Sequence, residues 1–119
     1  MLFRSANVVV DKSFAFAVRI VNLCRLLAND RSEKILSAQL LQSGTSIGAN
    51  IAEAQRAQTR ADFNNKMNIS LKEANEVDYW LRLLHATNYI SECEFNSIYA
   101  DLEELLALLI SICKKTNIK

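Results

Sequence analysis

The stretch SGTSIGANIAEAQ, residues 43–55, contains both glycines of the chain, Gly44 and Gly48. It could form either a flexible phosphate-binding loop or a closely packed helix. A Walker loop ends in Lys followed by Ser or Thr, and a dinucleotide fingerprint has three glycines after a strand; neither pattern occurs here. Gly44, Gly48 and Ala52 instead recur every four residues, which places three small residues on one helix face. We therefore predict a helix that packs closely against a neighbour at these three positions.

A polar set, Ser46, Asn50 and Glu53, follows a neighbouring flank of the same predicted helix. Asn50 adjoins the apolar stripe, so its amide is expected to be partly buried and to need hydrogen-bond partners. We predict that the three residues form a structural polar network, with Lys72 or Arg82 as the partner of Glu53. A ligand-binding role for the same set is the alternative.

The composition of the whole chain indicates an all-α protein. The 119 residues include no proline and two glycines, and half are hydrophobic, which suits one helical domain. Apolar residues recur at helical spacing in four segments, and the sequence predicts helices over residues 10–28, 33–57, 60–87 and 92–115. Because the connections are short, we predict an antiparallel up-down-up-down four-helix bundle.

Two helix starts carry recognisable capping residues. Thr59 is placed to cap the third helix, with Asp62 in its first turn. Ser91 and Glu94 have the spacing of a capping box at the start of the fourth helix. Both patterns predict where these helices begin.

The third helix is more apolar than one core requires. Ile69, Trp80 and Leu83 lie roughly opposite its core-facing stripe. Large exposed apolar patches usually mark interfaces, so we predict that these residues mediate self-association. The alternative is an unusually broad apolar stripe with a tryptophan at the surface.

Cysteine and hydropathy patterns place limits on the class of protein. Cys24, Cys93 and Cys113 are odd in number and far apart, which argues against a disulfide framework and favours a reducing cytoplasm. No apolar run approaches the roughly 20 residues needed to span a bilayer. The sequence therefore predicts a cytoplasmic protein with no membrane partner.

Residues typical of catalysis or metal binding are sparse. His85 is the single histidine, and no Glu-x-x-His motif or Cys-x-x-Cys pair occurs. We predict no enzymatic activity and no cofactor. The acidic pairs Glu73/Glu76 and Glu103/Glu104 could hold a metal between helices, although exposed solubilising charges are the simpler interpretation.

The segment of residues 40–84 resembles a known family. It is similar to the four-helix-bundle proteins encoded in intervening sequences of bacterial 23S rRNA genes, and to the accessory variability determinant of diversity-generating retroelements. The most specific motifs are SIGANIAEA (46–54), ADF (61–63), KEA (72–74) and YWLRLL (79–84). The resemblance implies an antiparallel bundle that assembles into a barrel-like homopentamer. The retroelement relatives that it resembles bind nucleic acid and contact a reverse transcriptase.

A basic surface is the candidate site that this resemblance implies. The positive excess lies in the first two helices, and the candidate nucleic-acid-binding residues are Arg19, Arg25, Arg56, Arg60 and Lys66. Repeating a modest positive bias around a ring would strengthen phosphate binding. We therefore predict a non-enzymatic oligomer that binds RNA or DNA. Ordinary solvated arginines, on a scaffold that docks a protein partner, are the alternative.

Overall fold

A computed structural model describes residues 4–117 and the side chains of residues 8–116. It contains four helices over this range and no strand. The helices are α1 (Arg4–Asp30), α2 (Ile35–Ala54), α3 (Arg60–Ala86) and α4 (Glu92–Asn117). The predicted all-α class with four helices is confirmed.

The four helices pack side by side in chain order. Helices consecutive in the chain contact each other, α4 also contacts α1, and the array measures 46 × 20 × 20 Å. Between α1 and α2, Gly44 lies beside Ile20, and Gly48 lies beside Ser13. Residue numbers therefore rise along α2 while they fall along the adjacent part of α1.

One hydrophobic core runs between the helices. Helix α1 contributes Phe16, Ile20 and Leu27, whereas Phe14 is 71% exposed and Val18 is 47% exposed. An α-helix turns 100° per residue, so the side that carries Phe14 and Val18 cannot face the core that Phe16 and Ile20 enter. The other large, fully buried side chains come from all three remaining helices and the α3–α4 connection: Leu40, Ile47, Ile51, Met67, Leu81, Leu84, Ile90, Leu102 and Leu105.

The largest differences from the predicted boundaries are at the start of α1 and at the end of α2, and the start of α2 also shifts by two residues. Helix α1 begins at Arg4 rather than near residue 10. Helix α2 begins at Ile35 because Glu33 acts as a cap before it: the Glu33 carboxylate accepts the Ser37 amide at 2.8 Å. Helix α2 ends at Ala54, three residues earlier than predicted, where the Ala57 amide turns back to the Ala54 carbonyl at 3.1 Å.

Both predicted capping patterns are confirmed. The Asp62 amide donates to Thr59 Oγ1 at 3.0 Å at the start of α3. At the start of α4, the Ser91 amide donates to Glu94 Oε1 at 2.8 Å, and the Glu94 amide donates to Ser91 Oγ at 3.1 Å. These are the two reciprocal bonds of a capping box.

The end of α3 has a left-handed cap. Asn88 has φ of 68°, a conformation that asparagine tolerates better than most residues. The Tyr89 amide bonds the Leu84 carbonyl and the Asn88 amide bonds the His85 carbonyl, which is the Schellman pattern. The chain is thereby redirected toward α4 within five residues.

Within the described part of the chain, no helix combines the length and apolarity needed to cross a bilayer.

Candidate functional site

The two glycines of α2 lie against α1. A Cβ added to Gly44 would lie 2.7 Å from Ile20 Cγ2, and one added to Gly48 would lie 3.3 Å from the Ser13 carbonyl oxygen. The side chain of Ala52, by contrast, is exposed. The prediction of a three-residue contact row is therefore wrong at Ala52.

The polar set predicted on α2 does not form one network. Asn50 Nδ2 donates to the Ser46 carbonyl at 2.9 Å, a bond within α2 itself. Glu53 is exposed and pairs with Lys66 at 2.8 Å. The predicted partners of Glu53, Lys72 and Arg82, are therefore wrong.

Arg82 has other partners. Its guanidinium donates to Asp78 Oδ1 and to the Tyr99 hydroxyl, each at 3.0 Å. Because Asp78 lies one turn earlier on α3, Arg82 is held on the face that meets α4 and points away from α2. The sequence could not choose this partner because Asp78 and Glu53 offer the same chemistry.

Besides the Glu53–Lys66 ion pair, two hydrogen bonds from buried serines join α2 and α3. Ser70 Oγ donates to the Ile47 carbonyl at 2.9 Å, and Ser43 Oγ donates to Glu76 Oε1 at 3.2 Å. Both serines are buried. The sequence analysis missed them as polar contacts because serine at a core-facing position resembles a small apolar residue in the periodic pattern.

The predicted self-association residues Ile69, Trp80 and Leu83 are half-buried. Trp80 packs against the core, and its indole Nε1 is buried with no hydrogen-bond partner among the residues that the structure describes. The interface stays a prediction. More strongly exposed apolar side chains lie elsewhere, notably Ile35 at 78% and Phe14 at 71%.

The predicted basic residues do not form one surface, so the expected patch over α1 and α2 is wrong. Arg19 turns toward α4, where it pairs with Asp101 at 2.7 Å and bonds Ser97. Lys66 is paired with Glu53. Arg25 of α1 lies near Ser37 of α2. At a rise of 1.5 Å per residue, Ser37 is about 28 Å from Arg56 in the direction of the α2 axis.

Four cations without acidic partners gather instead at the α2–α3 end of the molecule. They are Arg56, Arg60, Lys114 and Lys115, and none forms an ion pair within the described side chains. The Arg60 guanidinium lies 3.5 Å from the Lys115 carbonyl, which brings the start of α3 to the end of α4. Sequence pattern alone does not bring Lys115 to Arg60, because 55 residues separate them.

An open cleft of about 550 Å³ lies among these cations. Its apolar lining comes from Ala54, Ala57 and Phe63, and Arg60 and Lys115 provide positive charge. The remaining lining residues are polar and uncharged: Gln55, Gln58, Thr59 and Thr116. The arrangement suits a ligand that combines an apolar or aromatic part with an anionic group.

A second cleft of about 500 Å³ lies between α1 and α2 toward the other end of the molecule. Arg25 and Lys34 line it together with apolar residues that include Val21 and Leu41. These two cations also lack acidic partners among residues 8–116. They make a matched comparison for the four cations at the α2–α3 end.

Burial shifts the pKa of several titratable groups of the described chain, Glu73 and Cys24 among them. Burial, and then the neighbouring Glu76, raise the pKa of Glu73. Burial raises the pKa of the Cys24 thiol to about 12, which keeps it protonated, whereas Cys93 is exposed. In the part of the chain that the structure describes, no three His, Cys, Asp or Glu side chains come close enough to hold a metal ion.

Comparisons with known proteins relate the chain to one family. The family model described as "23S rRNA-intervening sequence protein" matches residues 5–111. A crystal structure of a protein of unknown function from the S23 ribosomal protein family of Bacteroides thetaiotaomicron is 59% identical in sequence. The similarity covers 92% of this chain and 98% of that one, with a TM-score of 0.91. No curated protein matches significantly.

Proposed function

Since the chain belongs to the 23S rRNA-intervening sequence protein family, we propose that it is a non-enzymatic, cytoplasmic, homo-oligomeric four-helix bundle that binds RNA or DNA. The observation that supports this best is the set of cations at the α2–α3 end, Arg56, Arg60, Lys114 and Lys115. Binding there releases counterions from the phosphate backbone and requires no base sequence.

Ion pairing distinguishes these four cations from most other cations of the described surface, Arg25 and Lys34 of the second cleft being unpaired as well. Lys12, Arg19, Arg31 and Lys66 each contact a carboxylate, and Lys66 does so at 2.8 Å. A paired cation must lose that carboxylate before it can neutralise a phosphate, so it contributes less to binding. Arg60, Lys114 and Lys115 carry no such cost, whereas Arg56, which forms no ion pair, still adds to the effect of Lys66 in lowering the pKa of Glu53.

The proposed assembly is an antiparallel up-down-up-down bundle in a homopentamer, as the family resemblance implies. Opposite residue order in the α1–α2 contacts supports the antiparallel arrangement. Exposed apolar side chains at Phe14, Val18 and Ile35 support self-association, because water-exposed patches of this kind favour burial in an interface. A ring would repeat the four cations in each copy and increase the number of phosphates contacted.

The test is a salt series of fluorescence anisotropy with labelled RNA and labelled DNA. We expect the affinity to fall linearly with salt on logarithmic axes. The double variant Arg56→Gln/Arg60→Gln should reduce the magnitude of the slope of log affinity against log salt by about 1.5, since each lost phosphate contact contributes about 0.7–0.9. Arg25→Gln/Lys34→Gln removes the same charge elsewhere and should leave the slope close to the unmodified value. Absence of binding to both nucleic acids at low salt would refute the proposal.

A protein-docking scaffold is the second candidate. It is favoured by the exposure of Phe14 and Ile35, which a protein partner could cover as well as another copy. If Phe14→Glu left the oligomer intact but abolished capture of one defined protein, this function would replace nucleic-acid binding as the better explanation.

A further inference from the structure

Unlike the cleft at Arg25 and Lys34, the cleft at the α2–α3 turn includes an aromatic side chain, Phe63, in addition to its cations and aliphatic lining. We infer that it binds one unpaired nucleotide of a single strand, with the base against the apolar lining and the phosphate at Arg60 and Lys115. The inference rests on the proposed function and assigns it a ligand class. It predicts a preference for single-stranded over duplex nucleic acid.

The size of the cleft fits such a unit. Its volume of about 550 Å³ lies within the roughly 300–1,000 Å³ of typical small-ligand sites. A single nucleotide is in this class, whereas the side of a duplex cannot enter. The cleft is open to solvent, so a strand can continue beyond the bound unit in either direction.

The chemistry of the lining divides into the two parts that a nucleotide requires. Ala54, Ala57 and Phe63 offer an apolar surface against which a base can be desolvated. Gln58 makes no hydrogen bond within the described part of the chain, and its amide can both donate to and accept from a base edge. Gln55 Nε2 donates to the Ile51 carbonyl, and this bond fixes the orientation of the side-chain amide, including its oxygen.

The charges around the cleft favour a phosphate. Arg60 and Lys115 line it, and Arg56 lies in the turn between two lining residues, Gln55 and Ala57. The acids of the adjoining elements are Glu53, which is paired with Lys66, and Asp62, which is not a lining residue. The local balance is therefore positive although the chain carries a net charge of only +1.

A duplex holds its bases in the stack and presents only their edges and the phosphates. Proteins that bind single strands commonly combine a positive groove with a surface that receives exposed bases. The four cations alone would bind either form through phosphates. The apolar cleft adds an interaction that only an unpaired base can make, and this difference separates the inference from general electrostatic binding.

The experiment compares a labelled single-stranded RNA of about ten nucleotides with its blunt duplex, at one salt concentration. We expect the unmodified protein to bind the single strand at least about tenfold more tightly. Ala57→Leu fills the cleft without changing charge and should reduce single-strand affinity about tenfold while leaving duplex affinity unchanged. Ala61→Leu, at an exposed position that does not line the cleft, is the matched control and should change neither affinity.

A second measurement uses the unmodified protein, so that it does not depend on the folding of a variant. Adenosine monophosphate should shift the NMR amide signals of Ala57 and Gln58, and inorganic phosphate should shift them less. Equal affinity for single strand and duplex, or an unchanged single-strand affinity in Ala57→Leu, would overturn the inference and leave the proposed function standing. Failure to bind either form would refute the proposed function itself.

Discussion

Arg31 and Glu94 form a two-point ion pair between the loop after α1 and the first turn of α4. The Arg31 Nη1–Glu94 Oε1 distance is 2.9 Å, and the Nη2–Oε2 distance is 2.7 Å. Arg31 Nη1 also donates to the Tyr89 carbonyl at 2.7 Å, and Glu94 Oε1 accepts the Ser91 amide. One carboxylate therefore completes the capping box and joins two loops at the same end of the molecule.

Glu94→Gln should destabilise the protein at neutral pH by about 1–2 kcal/mol. Hydrogen bonds from Arg31, and then from the Ser91 amide, lower the pKa of Glu94 to about 2. A shift of this size corresponds to about 3 kcal/mol, but a third of each side chain is exposed and solvent screening reduces the contribution. Urea unfolding would measure the loss. Glu92→Gln, in the same turn and exposed, should change stability by less than about 0.5 kcal/mol; an equal loss in both variants would contradict the assignment.

The same ion pair should make stability depend on acid pH. The folded pKa of Glu94, about 2, lies below its ordinary value of 4.5. As the pH falls, the Glu94 carboxylate therefore binds a proton first in the unfolded state. The stabilisation by the ion pair is complete above about pH 4.5 and is lost between about pH 4.5 and pH 2. We expect the stability difference between the unmodified protein and Glu94→Gln to shrink across this interval. A difference that stays constant down to pH 2 would show that the carboxylate charge is not responsible.

Gly44→Ala should destabilise the protein although alanine is the better helix former. The new Cβ would lie 2.7 Å from Ile20 Cγ2, inside a buried contact. Overpacking of this kind costs about 1–3 kcal/mol, whereas the helix-propensity gain is about 1 kcal/mol. We expect a net loss of about 1–2 kcal/mol in urea unfolding, and a smaller change for Gly48→Ala, whose Cβ would lie 3.3 Å from the Ser13 carbonyl. A Gly44→Ala protein more stable than the original would refute the close-packing explanation.

Ser70→Ala should cost about 1 kcal/mol. Its hydroxyl is fully buried and donates to the Ile47 carbonyl at 2.9 Å, and a typical hydrogen bond contributes about 0.5–1.5 kcal/mol net. Ser111→Ala, at an exposed position of α4, is the matched control and should have little effect. Thermal unfolding at equal protein concentration would compare them. Equal melting temperatures for the two variants would show that the bond from α3 to α2 is unimportant.

Phe14→Glu should shift the proposed oligomer toward the 13.4 kDa monomer in light scattering. Phe14 is 71% exposed, so a charge there disturbs an interface without entering the core. Ala15→Glu, which is exposed on a different side of α1, should have a smaller effect. Trp80→Glu should instead lower the melting temperature, because Trp80 packs against the core. An unchanged mass for Phe14→Glu would exclude this face as the interface.

Periodicity and capping residues were sufficient to predict the four helices. Helical spacing identified the stripes that include Phe63 and Leu102, and both capping patterns depend on residues three positions apart. The start of α2 could not be predicted, because Glu33 is an equally good residue for the first turn of a helix. Its role as a cap depends on the direction from which α1 arrives.

The candidate site was only partly accessible from sequence, since it depends on which charges meet in space. Arg56 and Arg60 lie close together in sequence and were predicted to adjoin. Arg19 was placed in the same group because nothing in the sequence shows that Asp101, 82 residues away, would pair with it. Lys115 was not among the predicted binding residues, because only the packing of α4 against α3 brings it to Arg60.

The exposed thiol of Cys93 gives the protein a built-in attachment point for a spectroscopic probe. Cys24 and Cys113 are buried, so a maleimide dye should react selectively with Cys93 in the folded state. Cys93 and Lys115 are 22 residues apart on α4, about 33 Å along the helix axis. A dye at this position would report on tumbling and on energy transfer from a labelled strand while remaining far from the strand's proposed contacts.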